Sequence, residues 1–171
     1  FFDSLSSNLS RGKSWVTICL FCEVLPQWGK VTFNSDLNLN PFIGSLGIQQ
    51  TIRNRNIIKA EIKKRIETKT KAIFTTCLLN LYRDGNDSNG WHADNEKELG
   101  VNPVIASITL GQERFFHLKH RTQKEQKHKL LLEHGSLLLM QGETQHQWLH
   151  QIAKTKKPIG ERINLTFRVI K

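Results

Sequence analysis

His92-Ala93-Asp94 is the pairing in this chain with the clearest chemical potential. Side chains two positions apart share a face of an extended segment, so His92 and Asp94 offer an imidazole nitrogen and a carboxylate oxygen toward one point. Two histidines and one carboxylate, with the opposite coordination positions open, suit non-haem iron(II). A His-x-Asp pair is common by chance, and the set needs a second histidine. His134, His146 and His150 are the candidates. His134 precedes a glycine in an expected turn, where a histidine is ordinarily a surface residue. His146 and His150 are expected on the same face of one strand, with Trp148 between them. The residue types alone do not separate these two: one would ligate, and the other would stand behind it or pack as a polar neighbour.

A second chemical signal is Arg162-Ile163-Asn164-Leu165-Thr166-Phe167-Arg168-Val169. Strand alternation puts Arg162, Asn164, Thr166 and Arg168 on one face and Ile163, Leu165, Phe167 and Val169 on the other. A strand with one side in water would read the same way. Here, however, the polar face carries no lysine or glutamate, and its arginines bracket small hydrogen-bonding groups. Arginine grips a carboxylate with two parallel bonds, so two of them on one face suit a dicarboxylate. The same alternation places Asn80 on a face with Tyr82, the only tyrosine in the chain.

The elements that must carry these residues are mostly short strands. From Ala72 onward, β-rich runs at Phe74 to Tyr82, Val104 to Leu110, Arg114 to Lys119, Lys129 to Leu132, Ser136 to Met140, Thr144 to His150 and Ile163 to Ile170 are separated by turn residues such as Asp84-Gly85, His134-Gly135 and Gln141-Gly142. No helical period separates them, which excludes a parallel α/β sheet and leaves a sandwich or barrel. Upstream, Ile58, Ile62 and Ile66 recur every four positions among lysines and arginines, predicting an amphipathic helix over about Ile57 to Thr68. Residues 1–50 show no sustained period and predict irregular structure with one or two strands. The Lys/Gln/His stretch from Arg121 to His128 predicts a solvated hairpin tip that is also a basic patch.

At 171 residues and 38% hydrophobic content, the chain is expected to form a single domain that buries a core without disulfides. Its three cysteines are Cys19, Cys22 and Cys77; Cys19-x-x-Cys22 has no second pair to complete a zinc site and reads as two small residues of a buried apolar run, Trp15 to Leu25. That run is too short to span a membrane, and a reduced intracellular setting is expected. The chain opens on Phe1 and its only methionine is Met140, so N-terminal signals are not visible. Lys and Arg number 25 against 15 Asp and Glu, a formal charge of +10, which favours a polyanionic partner through phosphate contacts and counterion release.

Taken in order, Asn80-Leu81-Tyr82-Arg83-Asp84-Gly85, Trp91-His92-Ala93-Asp94, Pro103-Val104-Ile105-Ala106-Ser107, His134-Gly135-Ser136-Leu137 and Arg162-Ile163-Asn164-Leu165-Thr166-Phe167-Arg168 resemble the AlkB family of iron(II)- and 2-oxoglutarate-dependent dioxygenases. The likeness runs from about Phe74 to Lys171 and is closest to the branch that repairs alkylated DNA. It implies a mainly β fold with flanking helices around a double-stranded β-helix, or jelly-roll, core. The catalytic core would be residues 74–171, and residues 1–50 a diverged nucleotide-recognition region. The resemblance puts Fe(II) on His92, Asp94 and His150, the last preferred to His146 for its spacing to Arg162. It puts 2-oxoglutarate on Arg162, Asn164 and Thr166, with Arg168 nearer Asp94 and with Asn80 and Tyr82 completing the pocket.

The activity so implied is oxidative removal of alkyl groups from bases of the 1-methyladenine and 3-methylcytosine type, using O2 and converting 2-oxoglutarate to succinate. The partner would be alkylated DNA, single- or double-stranded, with RNA as a further substrate, and the protein a monomer with no membrane association. It would be cytoplasmic in a bacterium and nuclear in a eukaryote. A flipped or single-stranded base would be read by Glu96 and by Phe33, which resembles one half of an aromatic-x-aromatic pair whose other half is Val31 here. Asn95 stands where relatives often carry aspartate. The Pro-Arg and Tyr-Gly-Asp elements of the family's base-recognition lid are not found; Leu25-Pro26-Gln27-Trp28-Gly29-Lys30 stands in their place. Two other readings compete: the same chemistry on RNA or protein, and a non-catalytic jelly-roll relative that binds nucleic acid.

Overall fold

Period-two alternation builds most of the architecture, because each β run has one face that must leave water and another whose chemistry decides where it goes. The computed structural model describes residues 30–34 and 55–171, with side chains from residue 60 onward. Its elements in chain order are β1 (Lys30–Asn34), α1 (Arg55–Thr70), β2 (Thr76–Tyr82), β3 (Asn89–His92), a 3-10 turn (Lys97–Leu99), β4 (Ile105–Gly111), β5 (Arg114–His120), β6 (Lys127–Leu132), β7 (Leu137–Gln141), α2 (Thr144–Gln147), β8 (Trp148–Ile152) and β9 (Arg162–Arg168). The strands form a five-stranded sheet in the order β1-β7-β4-β9-β2 and a four-stranded sheet in the order β3-β8-β5-β6. The described strand pairings are antiparallel. Two facing antiparallel sheets with these long crossovers form the double-stranded β-helix expected from the resemblance.

Two apolar layers hold it together. Between the sheets, Tyr82, Ile105, Leu138 and Met140 from the larger sheet meet Phe116, Leu118, Leu130, Leu132, Trp148 and Ile152 from the smaller. Behind the larger sheet, Ile62 and Ile66 of α1 join Ala106, Ile108, Ile163, Leu165 and Phe167 in a second cluster. The four-residue repeat of isoleucines thus buries one stripe of α1 on the outer face of that sheet. The charged side of the helix is occupied by i,i+4 pairs, Lys63 with Glu67 and Arg65 with Glu61.

Three details differ from the sequence expectation. The run Thr144 to His150 is not one strand: α2 occupies Thr144–Gln147, and only Trp148 onward is extended. β3 covers Asn89–His92, outside the β-rich runs expected from Ala72 onward. β1 gives residues 1–50 one of their expected strands, pairing Lys30–Asn34 with Leu137–Gln141. Cys19, Cys22 and residues 25–29 of the lid segment lie outside the described residues, whereas Lys30 and Phe33 fall on β1.

The β5–β6 hairpin carries an exposed tip, as the Arg121 to His128 composition suggests. At its base the buried His120 accepts, through Nδ1, the backbone N–H of Gln123 at 3.0 Å and of Thr122 at 3.3 Å. Accepting at Nδ1 requires a ring without a proton there, and burial lowers the His120 pKa from its ordinary 6.5. A base whose folded pKa lies below its unfolded one favours the fold while neutral. Its contribution is complete above about pH 6.5 and is lost as the pH falls from there through the folded value. Melting temperature measured between pH 7.5 and 5 should therefore fall less steeply in His120→Asn than in the parent chain. Parallel slopes would remove His120 from the account.

Candidate active site

β3 and β8 bring two of the candidate ligands face to face. His92 and His150 are register partners, and their rings meet edge to face with centroids 4.3 Å apart. The β3–β8 register shifts between Asn89 and His92, an irregularity of the kind that re-aims side chains at the rim of a sheet. Asp94 follows just past the end of β3, its backbone N–H bonded to Gln145 Oε1 of α2 at 2.9 Å. One ligand atom from each of His92, Asp94 and His150 lies within 4.8 Å of the others.

The protonation pattern fits a cation. His92 Nδ1 stands 2.7 Å from the Gly90 carbonyl, which places the proton on Nδ1 and the lone pair on Nε2. That Nε2 lies 3.7 Å from Asp94 Oδ1. The other carboxylate oxygen, Oδ2, accepts from Arg168 Nη2 at 3.1 Å. Burial pushes the Asp94 carboxyl up, against the pull of Arg168 and His92, and a bound cation would oppose that shift. Burial first, with His92 and Arg168 beside it, lowers the His150 pKa to about 3, so its imidazole is neutral at pH 7. Its Nδ1 is buried with no hydrogen-bond partner, and Phe116 stacks on the ring at 5.1 Å. Two imidazoles and one carboxylate, packed to this distance, are a donor set that iron(II) fits.

Of the three distal candidates, the structure brings His150 to the His92–Asp94 pair and leaves the others outside. His134 is exposed and accepts the Gly111 N–H through Nδ1 at 2.8 Å. His146 is exposed on α2, so it does not share a strand face with His150.

The polar face of β9 faces the space between the sheets, not water. Arg162 is 1% exposed, and Asn164 and Thr166 are buried beside it. β9 lies between β4 and β2, with Asn164 registered against Asn80 on one side and Thr109 on the other, and Arg162 against Tyr82. Arg162 Nη2 donates to Asn164 Oδ1 at 2.9 Å and to Thr109 Oγ1 at 3.0 Å. Asn164 Oδ1 also accepts from Ser107 Oγ at 2.8 Å, and Asn164 Nδ2 donates to Thr166 Oγ1 at 2.7 Å. Nε and Nη1 of Arg162 are buried and unpartnered, and the guanidinium stands over the Tyr82 ring at 5.0 Å. Burial pulls its pKa down to about 10, which still leaves it charged at pH 7. Among the described residues no carboxylate pairs with it. A buried cation with two idle donors is costly unless an anion answers it, and a carboxylate ligand supplies that answer.

A cleft of about 540 Å³, whose lining includes Asn80, Tyr82 and Asn89, runs along this edge. Its far wall is the loop after β2, where Arg83 Nε and Nη2 clasp the Asp87 carboxylate at 2.8 and 2.9 Å. Arg114 ties the loop down by donating to the carbonyls of Asp84, Asp87 and Ala153. Gly85 lets the loop dock on the segment before β9, since a Cβ there would run into the Thr155 carbonyl oxygen.

The substrate-reading residues are less gathered. Asn95 and Glu96 are exposed just beyond Asp94, with Glu96 Oε1 3.9 Å from Arg168 Nη1. Phe33 lies on β1 with its backbone registered against Leu138, and its side chain lies outside the described residues. Sequence reasoning missed Ser107, Thr109, Gln145 and Asn89 as parts of the site. The first two carried a usable signal, polar residues at alternate positions of the apolar run Ile105 to Leu110. Asn89 accepts the Ile152 N–H at 2.9 Å and places Nδ2 3.4 Å from His92 Nε2.

The geometry makes metal binding separable by histidine. Titration with Mn(II), followed by calorimetry, should show binding weakened by more than about a hundredfold in His92→Ala and in His150→Ala, since even residues that only support a ligand cost about 10- to 100-fold. His146→Ala should bind as the parent does. Undiminished binding in His150→Ala would sink the assignment of the third ligand.

Comparison with known proteins places this arrangement. The sequence model of the 2OG-Fe(II) oxygenase superfamily matches residues 46–168. Alpha-ketoglutarate-dependent dioxygenase alkB homolog 3 of Mus musculus is 40% identical over 117 residues, 64% of this chain and 41% of its own length. DNA oxidative demethylase ALKBH2 of Arabidopsis thaliana is 40% identical over 119 residues, 57% of this chain and 38% of its own. The chain thus spans under half the length of these relatives. A solved structure of OsALKBH1 covers 82% of this chain, with 78% of its own covered, at 20% identity and a TM-score of 0.45. The His-x-Asp and distal histidine on the smaller sheet, and the two-arginine strand on the larger, therefore stand in a chain that belongs to the 2OG-Fe(II) oxygenase superfamily and is of the AlkB type.

Proposed function

We propose that this protein oxidatively removes alkyl groups from nucleic-acid bases, and that DNA carrying N-methylated bases of the 1-methyladenine and 3-methylcytosine type is its substrate. The observation that carries the reading is the juxtaposition of the His92, Asp94 and His150 cluster with the buried, unneutralised Arg162. The names of its relatives, an alpha-ketoglutarate-dependent dioxygenase and a DNA oxidative demethylase, point the same way. The formal charge of +10 suits a phosphate backbone.

In this reading His92, Asp94 and His150 hold Fe(II), with His92 fixed by the Gly90 carbonyl and Asp94 by Arg168 and Gln145. Arg162 receives the distal carboxylate of 2-oxoglutarate on its two idle nitrogens. Asn164, Thr166, Asn80 and Tyr82 line its length, with Ser107 and Thr109 holding the Asn164 amide and the guanidinium in place. When bound, iron(II), 2-oxoglutarate and O2 supply the oxidising power, with succinate, carbon dioxide and formaldehyde as the products. The protein's part is to keep the metal, the cosubstrate and the base in register and to exclude water from the space between the sheets. A base reaches that space only when flipped or single-stranded, and Asn95, Glu96 and Phe33 are the residues we assign to reading it. An enzyme of this kind works where the nucleic acid is, inside the cell.

Incubation of a single-stranded oligonucleotide carrying 1-methyladenine with the protein, Fe(II), ascorbate and 2-oxoglutarate should release formaldehyde and succinate in equal amounts. Neither product appearing from DNA, while a methylated RNA is turned over, would replace the substrate. Arg162→Ala should raise the 2-oxoglutarate concentration needed for half-maximal rate by tenfold or more, a loss on the scale of a charged hydrogen bond, with little change in DNA affinity. The reverse ordering would contradict the role assigned to Arg162.

A further inference from the structure

The outer faces of the two sheets are used differently. That of the larger sheet is covered by α1. On the smaller sheet, by contrast, none of the outward-facing residues belongs to a buried apolar cluster among the described residues. Alternation and register place Trp91 of β3, Leu149 and Gln151 of β8, Phe115, His117 and Lys119 of β5, and Lys127 and Lys129 of β6 on this outer side. Two features set the face apart from an ordinary solvated one. It presents two large rings to water, Trp91 at 39% exposure and Phe115 at 44%. Each ring has a lysine over it, Lys119 Nζ at 4.3 Å from the Trp91 centroid and Lys129 Nζ at 3.8 Å from that of Phe115.

The charge is of one sign. None of the outward positions on these four strands is Asp or Glu, and among the described residues none of Lys119, Lys127 or Lys129 is in an ion pair. The exposed hairpin tip adds Arg121 and Lys124 against a single Glu125, so it too is net positive. Trp91 also directly precedes His92, so the face begins on the far side of the strand that carries a candidate ligand. A cationic head held over a flat ring can swing off it to a phosphate and free the ring face for an unpaired base of any sequence, and that pair of contacts is what a single nucleic-acid strand requires.

We propose that the outer face of the smaller sheet is a docking track for single-stranded nucleic acid, with Trp91 and Phe115 as stacking platforms and Lys119, Lys127 and Lys129 as phosphate contacts. The track would hold the strand that flanks the base presented to the site. The inference rests on the nucleic-acid reading of the function, but it concerns affinity for unmodified strand and does not require turnover.

The test is fluorescence anisotropy of the full chain with a labelled, unmethylated oligo-dT of about 20 nucleotides, beside a duplex of the same length. Phe115→Ala should weaken oligo-dT binding about 5- to 10-fold, within the range for loss of one base–aromatic stack, and leave duplex binding unchanged. Phe115→Trp should restore it. Lys119→Gln with Lys129→Gln should lower the slope of log affinity against log salt by about 1.4, two phosphate contacts at about 0.7 each for single strands. Lys64→Gln, on the exposed side of α1, should leave Phe115-dependent binding intact. Equal oligo-dT binding by the parent chain, Phe115→Ala and the double lysine variant would overturn the proposal. So would poly-glutamate binding with the same loss in Phe115→Ala, which would make the occupant an acidic polypeptide. Succinate formation from 2-oxoglutarate, measured in parallel, separates the two readings: its failure with the binding results as expected removes the enzymatic function and leaves the track standing.

Discussion

A single guanidinium organises the space between the sheets. Arg162 is 1% exposed and has no acidic partner among the described residues, and arginine does not escape by deprotonating at neutral pH. Removing such a charge from water costs several kcal/mol, offset only where oxygens surround it. That requirement accounts for the polar composition of two adjacent strands, β4 and β9. Thr109 and Asn164 accept from the guanidinium, and Ser107 and Thr166 complete the hydrogen bonding of Asn164. The inner layer is consequently divided: an apolar part built on Leu130, Leu132, Leu138 and Trp148, and a polar part built on β9. A jelly roll closed by hydrophobic burial alone would have no reason to keep the second.

The metal end depends on the same strand. Arg168, the last residue of β9, reaches Asp94 at 3.1 Å, so the larger sheet orients a carboxylate whose two histidine companions belong to the smaller one. Asp94 is therefore a joint between the sheets as well as a candidate ligand. Its backbone N–H, bonded to Gln145, adds a third element to that joint. Altering the separation of the sheets would move the carboxylate relative to the imidazoles. Those two are locked to each other by strand register, and the carboxylate is not.

What could be read from the sequence follows from how local the physics is. The alternation of β9 and the isoleucine repeat of α1 are local, and both elements formed where the residues indicated. Whether the polar face of β9 met water was not decidable from alternation; the absence of Lys and Glu on it was the better guide, and burial agrees with that guide. β3 was illegible because Asn89 and Gly90 disfavour a strand and leave Trp91 and His92 as too short a run to show a period, so pairing with β8 imposes the conformation. His146 and His150 were inseparable on the assumption of one continuous strand. The turn of helix at Thr144–Gln147 breaks that assumption, and nothing in the composition of Thr144-Gln145-His146-Gln147 announces a helix. Gln145 contacts Asp94 across 51 residues of chain, a distance over which a single sequence carries no positional signal.

The division of labour between faces bears on how a long substrate meets this fold. The inner faces are filled with core and site, and the outer face of the larger sheet is spent on α1, whose Ile62 and Ile66 are buried there. Among the described residues, the routes left to a polymer are over an edge or along the outer side of the smaller sheet. β3 is the edge of that sheet, and its alternation sends His92 inward and Trp91 outward. Any strand that delivers a base to His92 passes the rim that Trp91 occupies. Lysine-capped rings on that side lower the cost of holding the strand without committing to its sequence. On the proposed function, selectivity would then fall to the residues beside His92, Asp94 and His150, where an alkylated base differs from an ordinary one by a few atoms.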